Sequence, residues 1–327
     1  MGSFKVVLTD FTDSDQRIEV GVFEASGLDL DLVKAVPNTL TDLARIGAVA
    51  DALLVQFAVI DRPMLETLRR CQIISRYGVG VDMIDVQTAG ELGIPVANVP
   101  DFCVDEVSTQ TIGFMIDLNR HTVGLNDHVH RGRWGSQPAP GRAPRRLAGQ
   151  TLGIVGLGTI GCEVARKAAG LSLRILAYDP YVGTPPAGVE LVGLDELLAA
   201  SDYVTLHCPL LPETRGLIGA GQLAIMKQSA YLLNLSRGPV VDQAALTQAL
   251  ASGGIAGAAL DVMATEPPPP DDPLLQMANV LLTPHTSSWS VESIEQLRRD
   301  AAVNVVDALS GRPPRSVVNR AYLRARP

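Results

Sequence analysis

Cysteine is scarce in this chain: four in 327 residues, at positions 71, 103, 162 and 208. Their spacing matches neither a metal-binding nor a redox motif, so they read as small apolar core residues of a reducing compartment. Basic charge is also short. Lys and Arg total 27 against 35 Asp and Glu, a formal net charge of −8, which argues against a general nucleic-acid binder. No apolar run is long enough to cross a bilayer, and no leader-like segment precedes the strand-like run at 5–8. The expected location is therefore cytoplasmic, without membrane or nucleic-acid partners. What the chain does have is 46% hydrophobic and 19% charged residues, a globular composition. Its length suits two domains, each with its own core.

The most informative stretch is Thr151-Leu152-Gly153-Ile154-Val155-Gly156-Leu157-Gly158-Thr159-Ile160-Gly161. A short apolar run leads into G-x-G-x-x-G, and a helix-compatible run follows from Cys162. Alone, that glycine pattern is weak. Here a second apolar run, 173–178, ends at Asp179, eighteen residues after Gly161. Strand, helix, second strand and terminal acid all fall where a dinucleotide fold needs them. Gly156 allows the tight turn, Gly158 lets the backbone near Thr159 and Ile160 approach a pyrophosphate, and Gly161 lets the helix lie close on the sheet. The positive end of the helix faces the phosphates. Asp179 would accept hydrogen bonds from ribose hydroxyls and repel a 2′-phosphate, so the expected cofactor is NAD, with no metal.

Alternation of short β-branched runs and helical patterns continues on both sides of this motif. Strands are expected at 5–9, 52–56, 73–76, 96–99, 203–207, 230–235, 257–262 and 280–283. Helices are expected at 38–46, 63–69, 83–92, 101–118, 194–200, 243–251 and 290–309. The segment 131–146, rich in Arg with Gly and Pro, reads as an exposed loop. The fold class expected is α/β with two doubly wound parallel sheets. A discontinuous substrate domain (1–100 and 286–327) accompanies a Rossmann NAD domain (101–285), with a ligand cleft between them.

Three polar residues follow strand ends in the second half: Arg237, Glu266 and His285. In a parallel sheet such ends open onto the cofactor's crevice. A guanidinium binds a carboxylate with two parallel hydrogen bonds. An imidazole donates a proton near neutral pH to a carbonyl oxygen receiving hydride, and a carboxylate behind it orients the ring. Each residue alone is more often a surface ion pair or a loop residue, but together behind this glycine motif they form a hydride-transfer set.

These motifs resemble the D-isomer-specific 2-hydroxyacid dehydrogenase family over nearly the whole chain. The matching stretches are Gly78-Val79-Gly80-Val81-Asp82, Gly156 to Gly161, Tyr178-Asp179-Pro180, His207-Cys208-Pro209-Leu210, Asn234 to Gly238, Ala259-Leu260-Asp261-Val262, Glu266-Pro267 and Thr283-Pro284-His285. The resemblance implies a flavodoxin-like substrate domain, a Rossmann domain and a homodimer with Trp134 buried between subunits. It makes Arg237 the substrate arginine, His285 the proton donor and Glu266 its partner, and gives the substrate carboxylate to the N–H groups of Val79 and Gly80. Thr111, His207, Cys208, Pro209, Thr214, Leu235, Ser236 and Asp261 fall at NAD contacts, Asp261 toward the carboxamide. Tyr77, Phe102 and Trp289 would make the substrate pocket partly aromatic.

Several stretches, among them Arg145 to Gly153 and Tyr178 to Tyr181, resemble the C-terminal-binding-protein branch more than ordinary phosphoglycerate dehydrogenases. An NAD(H)-sensing corepressor-like module is therefore an alternative to an enzyme. Gln56 stands where phosphoglycerate-type members have Arg, and Val79 where phosphite-oxidising relatives have Lys. Both departures remove positive charge, so a small, non-phosphorylated 2-oxo acid is expected. A phosphorylated or phosphonate substrate would have to recruit arginines of 131–146.

Overall fold

The computed structural model describes residues 3–10, 15–35, 45, 47–134 and 143–324. The expected helix at 38–46 and the middle of the arginine-rich segment lie outside the described residues. The chain divides into two compact units, 1–102 with 290–327, and 103–289. Each is built on its own parallel sheet.

The first unit carries strands β1 (Phe4–Leu8), β2 (Leu30–Lys34), β3 (Ala52–Val55), β4 (Ile73–Arg76) and β5 (Val96–Ala97). Their order across the sheet is β2-β1-β3-β4-β5, all parallel. β3 and β4 are buried at every position, as expected of strands covered on both faces. The strand order reverses between β1 and β3. There Asp10 accepts the N–H groups of Gln56 (2.8 Å) and Phe57, closing the gap between the two strand ends.

The helix Val291–Leu309 returns to this unit from the far end of the chain. Ser290 caps it: its Oγ accepts the Ser293 N–H at 2.8 Å, and Ser293 Oγ accepts the Ser290 N–H at 2.8 Å. Its inner face buries Leu297, Ala301, Ala302, Val305 and Leu309. Ser75 on β4 donates to Ala301 O at 2.9 Å. The tail then pairs antiparallel with β5 through Ala97 and Val317. Asn319, fully buried, accepts the Val96 N–H and donates to Ile94 O and Val86 O.

The second unit holds β6 (Thr151–Val155), β7 (Arg174–Tyr178), β8 (Val189–Leu191), β9 (Tyr203–Leu206), β10 (Tyr231–Asn234), β11 (Gly257–Leu260) and β12 (Val280–Leu282). The order is β12-β11-β10-β9-β6-β7-β8, all parallel, reversing between β6 and β9. Its core runs through Val155, Leu197, Val204, Leu206, Leu232, Leu246 and Ala258. The helix Val104–Arg120 carries Asp105 and Glu106 in its first turn, where they complement the helix dipole. It buries Val107, Thr111, Phe114, Met115 and Leu118, a stripe at helical spacing, and stops at His121 in the left-handed region (φ 55°). Lys167 binds it to the helix Thr159–Ala169, donating to Asp105 Oδ1 and Thr109 Oγ1, both at 2.6 Å.

The α/β class with two parallel sheets matches the expectation. Among the described residues five helices and strands were not anticipated: the helix Arg17–Ser26, β2, the helix Thr122–His130, β8 and the helix Ala220–Ile225. The first proline-led helix is shorter than expected, Arg62–Leu65, with Asp61 as its cap accepting the Met64 N–H at 3.0 Å. No described helix is long and apolar enough to cross a membrane.

Candidate active site

In the second unit the C-terminal strand ends share one edge of the sheet, and the glycine loop lies at its centre. Gly156 follows β6 with φ 95° and donates its N–H to Tyr178 O at 2.9 Å. A Cβ there would stand 2.6 Å from the Cys208 nitrogen and 2.8 Å from the His207 carbonyl carbon. Glycine is thus needed twice at the point where the strand order reverses, for its backbone angle and for the contact with the chain leaving β9. A Cβ at Gly161 would overlap the Gly156 carbonyl oxygen, so the helix starts hard against the loop. Gly158 is the opposite case: a Cβ there would meet nothing within 4 Å.

The helix Thr159–Ala169 therefore opens with exposed N–H groups and no side-chain cap, an arrangement that suits an anion. Asp179 closes β7. Its Oδ2 accepts the Leu157 N–H at 2.8 Å and its Oδ1 the Tyr181 N–H at 2.9 Å. Open space over Gly158, an uncapped helix start and a fixed carboxylate one strand away fit the pyrophosphate and ribose of NAD.

Along the same edge, Arg237, Glu266 and His285 follow β10, β11 and β12. His285 Nδ1 lies 2.7 Å from Glu266 Oε2. Facing a carboxylate, Nδ1 carries the hydrogen, which leaves Nε2 as the working nitrogen. Glu266 Oε1 accepts the Met263 N–H at 2.9 Å, so both carboxyl oxygens are held. Burial opposes the charge on Glu266. The His285 hydrogen bond, the His285 charge, the Met263 N–H and the Arg237 charge together outweigh it, and the carboxyl sits below its ordinary range. That last contribution ties Arg237 electrostatically to the pair.

Arg237 is placed by a local turn. Asn234 Nδ2 donates to Arg237 O at 3.0 Å, and Asn234 Oδ1 accepts the Ser236 N–H and hydroxyl. Its Nη1 donates to Ser236 O at 2.9 Å. A Cβ on the next residue, Gly238, would overlap the Met263 carbonyl, so the arginine turn and the glutamate loop are in direct backbone contact.

His285 sits in the left-handed region with φ 55°, a conformation costing a non-glycine residue about 1–3 kcal/mol. Asp261 counters the strain. Buried at 1% exposure, it accepts Thr283 Oγ1 (2.5 Å) and the N–H of Thr286 (2.9 Å) on Oδ1, and the Ser287 N–H (3.1 Å) on Oδ2. Its main-chain oxygen accepts the His285 N–H at 2.8 Å. Hydrogen bonds to a carboxylate contribute roughly 1.5–3 kcal/mol each, so three of them exceed the strain. Asp261, read from the resemblance as a cofactor contact, thus also shapes the loop that presents His285.

His207 differs from His285. Its ring Nε2 lies 2.9 Å from Thr205 Oγ1, and burial lowers the imidazole to about 3, so it stays neutral near pH 7. Burial likewise raises the Cys208 thiol to about 11. Pro209 O accepts the Thr214 hydroxyl at 2.6 Å. Thr111 returns its hydroxyl to Val107 O within its own helix, at 2.8 Å. Leu235 is buried, whereas Trp289 is 61% exposed.

In the first unit Val79 is exposed and Gly80 half-buried on the turn after β4. Tyr77, expected to line an aromatic pocket, is 2% exposed, and its hydroxyl donates to Glu19 Oε1 at 3.0 Å inside the first unit. Phe102 is buried as well.

Two contributors were not anticipated. Gln243 accepts the Ala264 N–H at 2.9 Å and donates to Asp272 at 2.7 Å, bracing the Glu266 loop. Arg76, buried at the end of β4, lays its guanidinium where a Gly78 side chain would be, which puts a cation at the Gly78–Gly80 turn. A strand-end Arg two residues before a glycine turn was the available signal. Among the described residues no cluster could hold a metal ion.

Comparison with known proteins places this geometry. Residues 112–287 match the NAD binding domain of the D-isomer specific 2-hydroxyacid dehydrogenases. A glyoxylate reductase of Korarchaeum cryptofilum is 41% identical over 272 residues, 82% of each chain. A D-3-phosphoglycerate dehydrogenase of Archaeoglobus fulgidus is 39% identical over 263 residues, 80% of this chain but 49% of that longer protein. The D-lactate dehydrogenase of Aquifex aeolicus, solved with NAD and lactic acid, superposes with a TM-score of 0.83 at 28% identity, covering 94% of this chain and 96% of that one. With the glycine loop, the strand-end residues and both parallel sheets in place, the chain belongs to the D-isomer-specific 2-hydroxyacid dehydrogenase family and is an NAD-dependent oxidoreductase.

Proposed function

We propose that this enzyme reduces a small, non-phosphorylated 2-oxo acid to the D-2-hydroxy acid, with His285 as proton donor. The observation that carries the assignment is the 2.7 Å contact between His285 Nδ1 and Glu266, on the sheet edge that holds the glycine loop. NADH, when bound, supplies the hydride. Arg237 grips the substrate carboxylate and polarises the carbonyl. On the first unit, the N–H groups of Val79 and Gly80 are assigned to carboxylate binding. His285 gives its Nε2 proton to the oxygen as the carbonyl carbon is reduced, and Glu266 stabilises the imidazolium that gives it.

Asp179 sets the cofactor. With both its oxygens already tied to backbone N–H groups, it presents a fixed negative charge where a 2′-phosphate would sit. Asp179→Ala is expected to weaken NADH and to relax discrimination against NADPH, read as the ratio of kcat/KM for the two. Equal use of both cofactors by the wild type would overturn this assignment.

Relatives named for glyoxylate and for phosphoglycerate stand at similar identity, so charge has to choose between them. Gln56 at the end of β3 brings no cation. Arg76 packs against the Gly78 turn and so reinforces one carboxylate there. An unpaired phosphate in a water-poor site would cost several kcal/mol. Glyoxylate, hydroxypyruvate and pyruvate are therefore expected as substrates, measured by NADH oxidation across a panel of 2-oxo acids. A tenfold or greater preference for a phosphonate-bearing analogue of similar length, on the order of 1.4 kcal/mol, would move specificity to the 131–146 segment. In its described part Arg131 pairs with Asp127 and Arg145 with Asp202. Absence of turnover with every 2-oxo acid would favour the corepressor-like reading.

The reading includes a two-fold homodimer. Trp134 is 90% exposed in the single chain, and Val123 and Val129 of the preceding helix Thr122–His130 are exposed too. Aromatic residues in such a setting mark subunit contacts. Light scattering at micromolar concentration should report a dimer, and a monomer would refute it.

A further inference from the structure

We propose that Gln243 is a positioning residue for the proton-donor pair: its carboxamide, set by Asp272, holds the loop that aims Glu266 at His285. The inference rests on the reading of His285 as proton donor and Glu266 as its partner, and it assigns what keeps Glu266 in place.

Glu266 stands on a loop with little main-chain support. Residues 267–270 are successive prolines, which have no N–H to give. The Met263 N–H is spent inside the loop, on Glu266 Oε1 at 2.9 Å. Among the described residues, one hydrogen bond ties the main chain of 263–268 to another segment, from the Ala264 N–H to Gln243 Oε1 at 2.9 Å. Ala264 to Pro267 are exposed, so packing adds little.

That bond fixes a peptide plane. The Met263–Ala264 peptide is trans, so its C=O and N–H point in opposite directions. With the Ala264 N–H turned to Gln243, the Met263 carbonyl faces the other way. There it lies so close to Gly238 that a Cβ would overlap it. The plane is therefore held from both sides, and the residue at its pivot, Met263, gives the N–H that binds Glu266 Oε1. Glu266 Oε2 then stands 2.7 Å from His285 Nδ1. Without the Gln243 bond the peptide is free to rotate, and the carboxylate moves with it.

Gln243 reaches the loop from a fixed start. It opens the helix Gln243–Ala251, which Asp242 caps by accepting the Ala245 N–H at 3.1 Å. The Asp242 N–H donates to Ile218 O at 3.0 Å. Asp272 Oδ2 accepts Gln243 Nε2 at 2.7 Å, and because a carboxylate only accepts, Oε1 must face Ala264. Asp272 is held in turn, its Oδ1 accepting the Leu274 N–H at 2.9 Å.

The test compares Gln243→Ala, Gln243→Glu and the exchanged pair, Gln243→Glu with Asp272→Asn, with wild type. Gln243→Ala is also made in a Glu266→Ala background. Gln243→Glu keeps an acceptor for the Ala264 N–H but sets two carboxylates against each other, and Asp272→Asn then supplies the missing donor. The readouts are kcat for glyoxylate, KM for NADH, and solvent exchange of the His285 Nδ1 proton, followed by NMR of histidine-labelled enzyme with NADH bound. Gln243→Ala and Gln243→Glu should lower kcat about fivefold and speed that exchange about tenfold, the scale of one hydrogen bond, with NADH KM unchanged. The exchanged pair should return both readouts to within about twofold of wild type. In the Glu266→Ala background Gln243→Ala should cost nothing more, because nothing remains to be aimed. A merely structural role would give the same loss in either background or shift NADH KM as well. Either result overturns the proposal, as does unchanged Nδ1 exchange in Gln243→Ala. If Gln243→Ala does not fold, Gln243→Glu against the exchanged pair decides. A wild type without glyoxylate turnover would overturn the reaction assigned above, while the exchange rates, read without substrate, decide the role of Gln243 separately.

Discussion

Replacing His285 with alanine is expected to lower kcat for 2-oxo acid reduction by about 10²-fold or more, roughly 2.7 kcal/mol of transition-state stabilisation, while NADH binding stays nearly intact. In the proposed mechanism His285 gives a proton and belongs to no part of the glycine loop, so the loss falls on chemistry. Stopped-flow reduction with NADH titrated by fluorescence separates the two. The pH dependence carries a sign. Reduction consumes a proton, so kcat/KM for the 2-oxo acid should fall as pH rises, while hydroxy-acid oxidation rises. Glu266 is held below the ordinary carboxylate range, so its orienting charge is present above that range. It is lost only as pH falls through the lowered value, which puts the acid limb low. Near-normal turnover of His285→Ala would reassign the donor. His207 could not take the role, since burial keeps it neutral near pH 7.

Arg237→Ala is expected to raise KM and lower kcat together, with a combined loss of about 10³-fold in kcat/KM. In the proposed mechanism the guanidinium both binds the carboxylate and fixes where the carbonyl stands. Arg237→Lys should recover part of the binding but little of the rate, because an ammonium lacks the planar fork. The Asn234 carboxamide and the contact of Gly238 with Met263 set the arginine's turn, so Gly238→Ala should produce a milder version of the same pattern. Initial-rate kinetics at saturating NADH reads all three variants. An Arg237→Ala enzyme with raised KM and unchanged kcat would make the residue a ground-state anchor only.

The strand ends were legible in the sequence because parallel strands buried on both faces read as apolar runs, and the residues that follow them stand out. The glycine loop was legible because Gly156 and Gly161 answer local needs of backbone angle and contact, and Gly158 leaves open space at the helix start. The helix Arg17–Ser26 was not. Its buried positions are Glu19 and Phe23, and an acid on the inner face hides helical periodicity. Glu19 is buried because Arg298, 279 residues away, donates to both its oxygens at 2.9 and 2.7 Å. The burial of Tyr77 was hidden for the same reason, since its hydroxyl answers to Glu19. Arg76 passed unnoticed because its meaning lies in the missing side chain of Gly78. In each case the deciding partner is distant in sequence or is an empty volume.

The Glu19–Arg298 pair also orders events on the ribosome. The unit formed by 103–289 is continuous and has its sheet complete before Ser290 is made. The other unit has its five strands early but carries Glu19 toward an apolar interior with no counter-ion, a state costing several kcal/mol. It gains that partner only when the helix Val291–Leu309 emerges, and the free flank of β5 is covered later still, by Val317. The 103–289 unit is thus the first part able to mature, and residues 1–100 are unfinished business for chaperones until the helix Val291–Leu309 has emerged. Stalled nascent chains ending before Ser290 should accordingly resist protease in the 103–289 region and be cut in the first hundred residues.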